Sequence, residues 1–230
     1  MTTPQLLTYE LTDSIATVTM DDGKANVMSA AMLRALHEAF DRAEREASVV
    51  VLTGRKGMFS AGYDLSMFAS RPEEIGAVLR LGGDLVHRIL GFPKPVLMAC
   101  PGHAVAQGAF LLLAADVRIG VTGERKIGLN EVVIGLTIPF YGIEVARHRL
   151  SAPWFQHATV TGALYAPEAA LAAGFFDRVV TPEELADATR AEAARLAALK
   201  MDAHAGTKLR VREAALRAIR EGIDREFPAG

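Results

Sequence analysis

The stretch PVLMACPGHAVAQGAFLLLAADVRIGV, residues 95–121, decides the fold. Pro95–Cys100 is a short apolar run stopped by Pro101-Gly102, the pattern of a strand buried on both faces. Ala104–Ala115 lacks proline and is almost wholly apolar, so it reads as a buried helix. Asp116–Val121 then returns to a strand. Strand–helix–strand alternation with continuous apolar strands is the mark of an α/β layered core with parallel strands.

The same reading extends outward. Val49–Leu52 is another fully apolar strand, followed by a glycine-rich loop from Gly54 to Gly62. Ser29 is placed to cap a helix whose apolar residues Leu33, Leu36, Phe40 and Ala43 recur at helical spacing. Leu6–Leu11 and Ile15–Met20 form a hairpin around Thr12-Asp13-Ser14. From Pro182 onward the pattern becomes helical. Leu185, Ala188, Leu196 and Leu199 line one helix face, and Leu209, Leu216, Ile219 and Ile223 line the next. The expected division is a core over residues 1–181 and a helical region over 182–230.

Composition narrows the function. Half of the 230 residues are hydrophobic, which excludes intrinsic disorder. A net charge of -2 argues against nucleic acid as the main partner. The single cysteine, Cys100, excludes a disulfide scaffold within the chain and a cysteine-cluster metal site, and no metal is expected. Met1–Gln5 shows no secretory pattern, and no apolar run reaches the ~18–20 residues of a membrane span. A cytoplasmic protein without a membrane partner is expected. GxSxG, P-loop and GxGxxG motifs are absent, which removes the common serine hydrolase, NTPase and dinucleotide readings.

Three segments carry chemistry. In Met58-Phe59-Ser60-Ala61-Gly62-Tyr63-Asp64-Leu65, small residues let a ligand approach the backbone. Asp64 reads as ordering its own loop. Pro101–Gly108 leads into the buried helix, whose unpaired N–H groups and positive dipole end suit a developing negative charge. In Ile127–Phe140, Glu131 stands in an otherwise apolar stretch, where poor solvation raises a carboxyl pKa toward neutrality. His103 reads as a packing or hydrogen-bonding residue, and Glu73 and Glu74 as a solvated helix start.

In this order and spacing the three segments resemble the crotonase (enoyl-CoA hydratase/isomerase) superfamily, with likeness running through Gly174–Leu185. The resemblance implies a ClpP/crotonase-like fold, a ββα spiral core with C-terminal helices, and an acyl-CoA substrate of fatty acid metabolism. It implies no cofactor. By position, the backbone N–H groups of Tyr63 and Gln107 would form the oxyanion hole for the thioester oxygen, so their side chains are expected to matter little. Glu131 falls at a catalytic glutamate. Substrate and CoA contacts would fall at Lys24, Ala25, Lys56, Ala61, Gly62, Asp64, Leu65, Phe110 and Asn130, with Arg55 a further basic neighbour. A homotrimer or a dimer of trimers is implied as well.

One position departs from the hydratase pattern. Hydratases carry a second glutamate in the first turn of the buried helix, where this chain has Phe110. The Asn130-Glu131 pair and the stretch to Phe140 are closer to the Δ3,Δ2-enoyl-CoA isomerase branch, which works with one glutamate. By that alignment Phe110 faces the acyl chain. Two alternatives stand: a hydratase using Glu131 with another group, and a catalytically silent acyl-CoA-binding homologue.

Overall fold

The computed structural model describes residues 6–70 and 72–228, so the reading of Met1–Gln5 lies outside the described residues. Strands β1 (Leu7–Thr12) and β2 (Ile15–Met20) form the expected hairpin, with Leu7 opposite Met20. Helix α1 (Ala30–Glu46) follows, and the Ser29 hydroxyl accepts the Met32 N–H at 3.2 Å.

The chain then repeats one step three times. The first unit is β3 (Val49–Thr53), β4 (Gly57–Ser60) and helices α2 (Leu65–Ser70) and α3 (Ile75–Gly91). The second is β5 (Val96–Cys100), β6 (Gly102–Val105) and α4 (Gln107–Ala114). The third is β7 (Val117–Val121), β8 (Ile127–Gly128) and α5 (Phe140–Arg149). Next come α6 (Ala152–Thr161), β9 (Leu164–Tyr165), α7 (Pro167–Ala173) and β10 (Arg178–Val180). Helices α8 (Leu185–Ala197) and α9 (Met201–Glu226) end the chain.

In each unit the first strand joins one sheet and the second joins another. The large sheet runs β1-β2-β3-β5-β7-β10, parallel from β2 onward. The small sheet runs β4-β6-β8-β9, with β4, β6 and β8 parallel. This is the ββα spiral that the resemblance implies. Its consequence for function is direct: β4, β6 and β8 lie side by side, about 4.8 Å apart, so the segments leaving their C-terminal ends meet.

Four sequence expectations need correction. The buried helix begins at Gln107 rather than Ala104, because Gly102–Val105 forms β6, with Ala104 registered against Ser60 and Ile127. The strand ends at Ala106, whose φ of 50° and ψ of -125° break the extended run. The loop from Gly54 to Gly62 contains β4. From Pro182 onward the chain is helical as expected, but three further helices, α5, α6 and α7, precede β10.

The fourth concerns the last two helices. Ile219 and Ile223 are fully buried, as their spacing predicts, with Ile223 against Gly83 of α3. Leu199 and Leu209, assigned to apolar faces, are 38% and 49% exposed. Lys208 and Arg212 are buried instead. The reason is Asp116, just ahead of β7. Its carboxylate accepts from Lys208 Nζ at 2.7 Å, from Arg212 Nη2 at 2.9 Å and from the Val96 N–H at 2.7 Å. Arg212 Nη1 also donates to the carbonyl of Leu90 at the end of α3, where a cation meets the negative end of the helix dipole.

Candidate active site

Each of the three parallel small-sheet strands delivers one segment. β4 leads into Ala61-Gly62-Tyr63, β6 into Ala106-Gln107, and β8 into Leu129-Asn130-Glu131. The first segment is held from below by Asn26, a fully buried residue that the sequence reading passed over. Asn26 Nδ2 donates to the carbonyls of Met20 and Phe59 at 3.0 and 3.1 Å. The Ser60 hydroxyl donates to the Asn26 carbonyl at 2.7 Å and accepts the Gly62 N–H at 3.1 Å. The signal available in the sequence was an asparagine in a turn, a residue type that tolerates positive φ; here φ is 50°.

Gly62 lies where the first two segments touch. Its φ is +85°, and a Cβ there would stand 2.7 Å from the Ala106 Cβ and 3.4 Å from the Gln107 nitrogen. Ala106 is the strained partner, in a backbone region that costs a non-glycine residue about 1–3 kcal/mol. Its N–H is bonded to the Gly128 carbonyl at 3.0 Å, which ties the second segment to the third. The strain turns the chain sharply into α4, leaving the Gln107 N–H at the helix start without an intrahelical acceptor.

Glu131 opens a short 3-10 turn, Glu131–Ile134, closed by Gly135 in the left-handed region. It is 6% exposed, and its Oε2 has no hydrogen-bond partner among the described residues. Burial raises its pKa to about 7. The adjacent Asn130 Oδ1 is also buried and unpartnered. Two orphaned buried oxygens on consecutive residues, one on a carboxyl titrating near neutrality, mark a candidate proton-transfer site.

The remaining predicted residues fall into two groups. Ala25 accepts the Ala61 N–H through its carbonyl at 2.9 Å, and the Lys24 carbonyl accepts from Arg55 Nη1 at 2.8 Å. Lys24 and Arg55, with Lys56 next in sequence, thus lie close to the Ala25–Ala61 pairing. Asp64 accepts from the Ser66 N–H and hydroxyl at 3.0 and 2.6 Å, and Leu65 begins α2 with 53% exposure. His103 Nδ1 accepts the Lys126 N–H at 3.0 Å.

Phe110 sits in the first turn of α4, fully buried. Its ring meets Tyr141 edge to face, with centroids 5.8 Å apart. It also fills the space above Gly142, where a Cβ would stand 2.5 Å from the ring. Phe110 is therefore part of the α4–α5 packing.

Two cavities, of about 680 and 440 Å³, lie elsewhere, beneath α8 and beside the N-terminal half of α9, and no predicted site residue lines either. Chemistry rather than volume marks the site. Among the described residues no metal-binding group of His, Cys, Asp or Glu is found, and no helix is long and apolar enough to cross a membrane.

The family described as enoyl-CoA hydratase/isomerase matches residues 10–227. The chain is 32% identical to a putative enoyl-CoA hydratase of Thermus thermophilus over 86% of its own length and 78% of the relative's. A solved enoyl-CoA hydratase/isomerase family protein of Pseudomonas syringae superposes with a TM-score of 0.94 at 45% identity, covering 96% of each chain. A Mycobacterium tuberculosis protein, described once as an enoyl-CoA isomerase and once as a probable hydratase, superposes with TM-scores of 0.90 and 0.92 at 44% and 43% identity. The match covers 95–96% of this chain and 94–96% of that one. With the ββα spiral and a buried glutamate, these likenesses place the chain in the enoyl-CoA hydratase/isomerase family of acyl-CoA enzymes.

Proposed function

We propose that the protein moves a double bond, converting 3-enoyl-CoA to 2-enoyl-CoA with Glu131 as its one acid/base. The observation that carries this reading is the isolation of Glu131: its pKa is raised by burial, opposed only by its own backbone N–H, and no second charge perturbs it. The ionised carboxylate takes a proton from the α carbon. The electron pair moves onto the thioester oxygen, where the N–H groups of Tyr63 and Gln107 hold the dienolate. Protonated Glu131 then returns the proton to the γ carbon, restoring the carboxylate and leaving the double bond conjugated.

Hydration needs a held and activated water. The first-turn position that would take a second carboxylate is occupied by Phe110, packed against Tyr141 and Gly142. The isomerase description of a 44% identical protein supports the reading, while the hydratase names of several relatives keep hydration as the competing one.

Because Glu131 acts as a base, its protonated form is inactive. kcat/KM is expected to be flat above about pH 7 and to fall tenfold per unit below it, reaching roughly one hundredth of the plateau at pH 5. A profile without a break between pH 6 and 8 would contradict the assignment.

The acyl-CoA rim at Lys24, Arg55 and Lys56 supplies cations for the CoA phosphates. Self-association is part of the same proposal. Val132, Val133, Ile134, Val160 and Leu164 are all exposed, and Gly162 joins Val132 and Val133 to the α6 side of this patch. A contiguous apolar surface of this kind is a usual mark of an interface. Light scattering at micromolar concentration is expected to give a multiple of three chains, and Val133→Glu to lower the mass. A monomeric parent would count against it.

A further inference from the structure

The two residues whose backbone N–H groups serve the oxyanion have side chains that meet behind it. The Tyr63 and Tyr141 hydroxyls are 2.7 Å apart. The Tyr141 hydroxyl donates to Gln107 Oε1 at 2.9 Å, and Gln107 Nε2 donates to the Gly82 carbonyl at 2.9 Å. The direction of the chain is fixed by its end. A carbonyl only accepts, so the Gln107 amide nitrogen must face Gly82 and its oxygen must face Tyr141. Tyr141 has one hydroxyl hydrogen, already committed to that oxygen, so the Tyr63 hydroxyl is the donor between the tyrosines.

The surroundings are shaped for this chain. Tyr141 and Gln107 are fully buried. A Cβ on Gly82 would stand 1.9 Å from the Tyr63 hydroxyl and 2.9 Å from Gln107 Nε2, so α3 leaves room at this residue for both polar ends. A Cβ on the next residue, Gly83, would stand 3.0 Å from the Tyr141 ring. Burial pushes both tyrosine pKa values up, and the Glu131 carboxylate pushes them further in the same direction, which keeps both hydroxyls protonated as donors.

We infer that Tyr141 is a positioning residue that locks the two oxyanion donors to each other and to α3 through the side chains of Tyr63 and Gln107. This rests on the reading of Tyr63 and Gln107 as the donors. It reverses the expectation that their side chains matter little. The N–H groups belong to separate loops, and a shift of either loses the geometry that stabilises the enolate.

The test compares the full-length parent with Tyr141→Phe, Tyr63→Phe and the double variant, using 3-hexenoyl-CoA. Tyr141→Phe keeps the ring against Phe110 and removes only the hydroxyl. Its kcat is expected to fall ~10–100-fold, as for outer-shell hydrogen-bond partners, with KM changed less than about threefold. Tyr63→Phe is expected to fall by a smaller factor, and the double variant to be no slower than Tyr141→Phe alone, because one chain is being cut twice. Multiplying losses in the double variant would overturn the proposal, as would a Tyr141→Phe enzyme that melts lower but keeps its kcat. Backbone ¹⁵N relaxation of Tyr63 and Gln107 separates the two layers. Unchanged order at both amides in Tyr141→Phe overturns the lock itself. Loosened amides with unchanged kcat also overturn the proposal, and place the fault in the assignment of the donors.

Discussion

Glu131→Gln is expected to lower turnover ~10²–10⁴-fold while acyl-CoA still binds, the usual loss when a positioned general base is removed. Glutamine keeps the size and polarity of the side chain but cannot accept the α proton. The same variant carries a second, opposite signature. The folded-state pKa of Glu131 is raised from 4.5 to about 7 by burial, so the folded protein holds this proton more tightly than the unfolded chain. Stability from that group is fully present below pH 4.5 and is lost as pH rises through 7, a loss on the order of 3 kcal/mol at pH 8. Glutamine is neutral throughout and escapes the loss. Glu131→Gln is therefore expected to melt higher than the parent at pH 8, with the advantage shrinking toward pH 5. Activity falling together with stability at pH 8 would mean that Glu131 is a structural partner rather than a poised base.

The largest stability effect is expected at Asp116. Its carboxylate is 11% exposed and is shared between Lys208 and Arg212, which are 3% and 7% exposed. Asp116→Ala leaves two buried cations without their acid and is expected to cost about 3–5 kcal/mol, a large part of the ~5–15 kcal/mol of a typical domain. Burial already lowers the Lys208 pKa to about 8, against the opposing pull of Asp116. Without Asp116 it falls further. The folded variant then binds fewer protons than the unfolded chain, whose lysine titrates near 10.5, so its stability rises with pH across that range. Urea titrations at pH 7 and pH 9 check both statements. An unchanged midpoint at pH 7 would show that α9 is not anchored through this cluster.

Much of the framework was legible because β3 and β5 are continuous apolar runs and α1 repeats its apolar residues every three to four positions. The boundary between β6 and α4 was not, since residues 102–115 are apolar on both sides of Ala106 and only a backbone angle divides them. Nothing in the sequence marks Lys208 and Arg212 as buried, because their acid lies about ninety residues away. The three segments were legible because each carries its own small residues or lone carboxylate, whereas the small-sheet strands β4 and β6 that bring two of them together were not. Asn26 and Tyr141 were not, since their roles depend on partners that only the folded chain brings within reach.

Two rates measured on the parent protein at equal substrate concentration decide whether one buried carboxylate moves double bonds rather than adding water: conversion of 3-hexenoyl-CoA to 2-hexenoyl-CoA, and hydration of 2-hexenoyl-CoA. Isomerisation much faster than hydration is the result expected of Glu131 acting alone. Hydration as the faster reaction would contradict it, and would require a second group to hold water where Phe110 leaves no carboxylate.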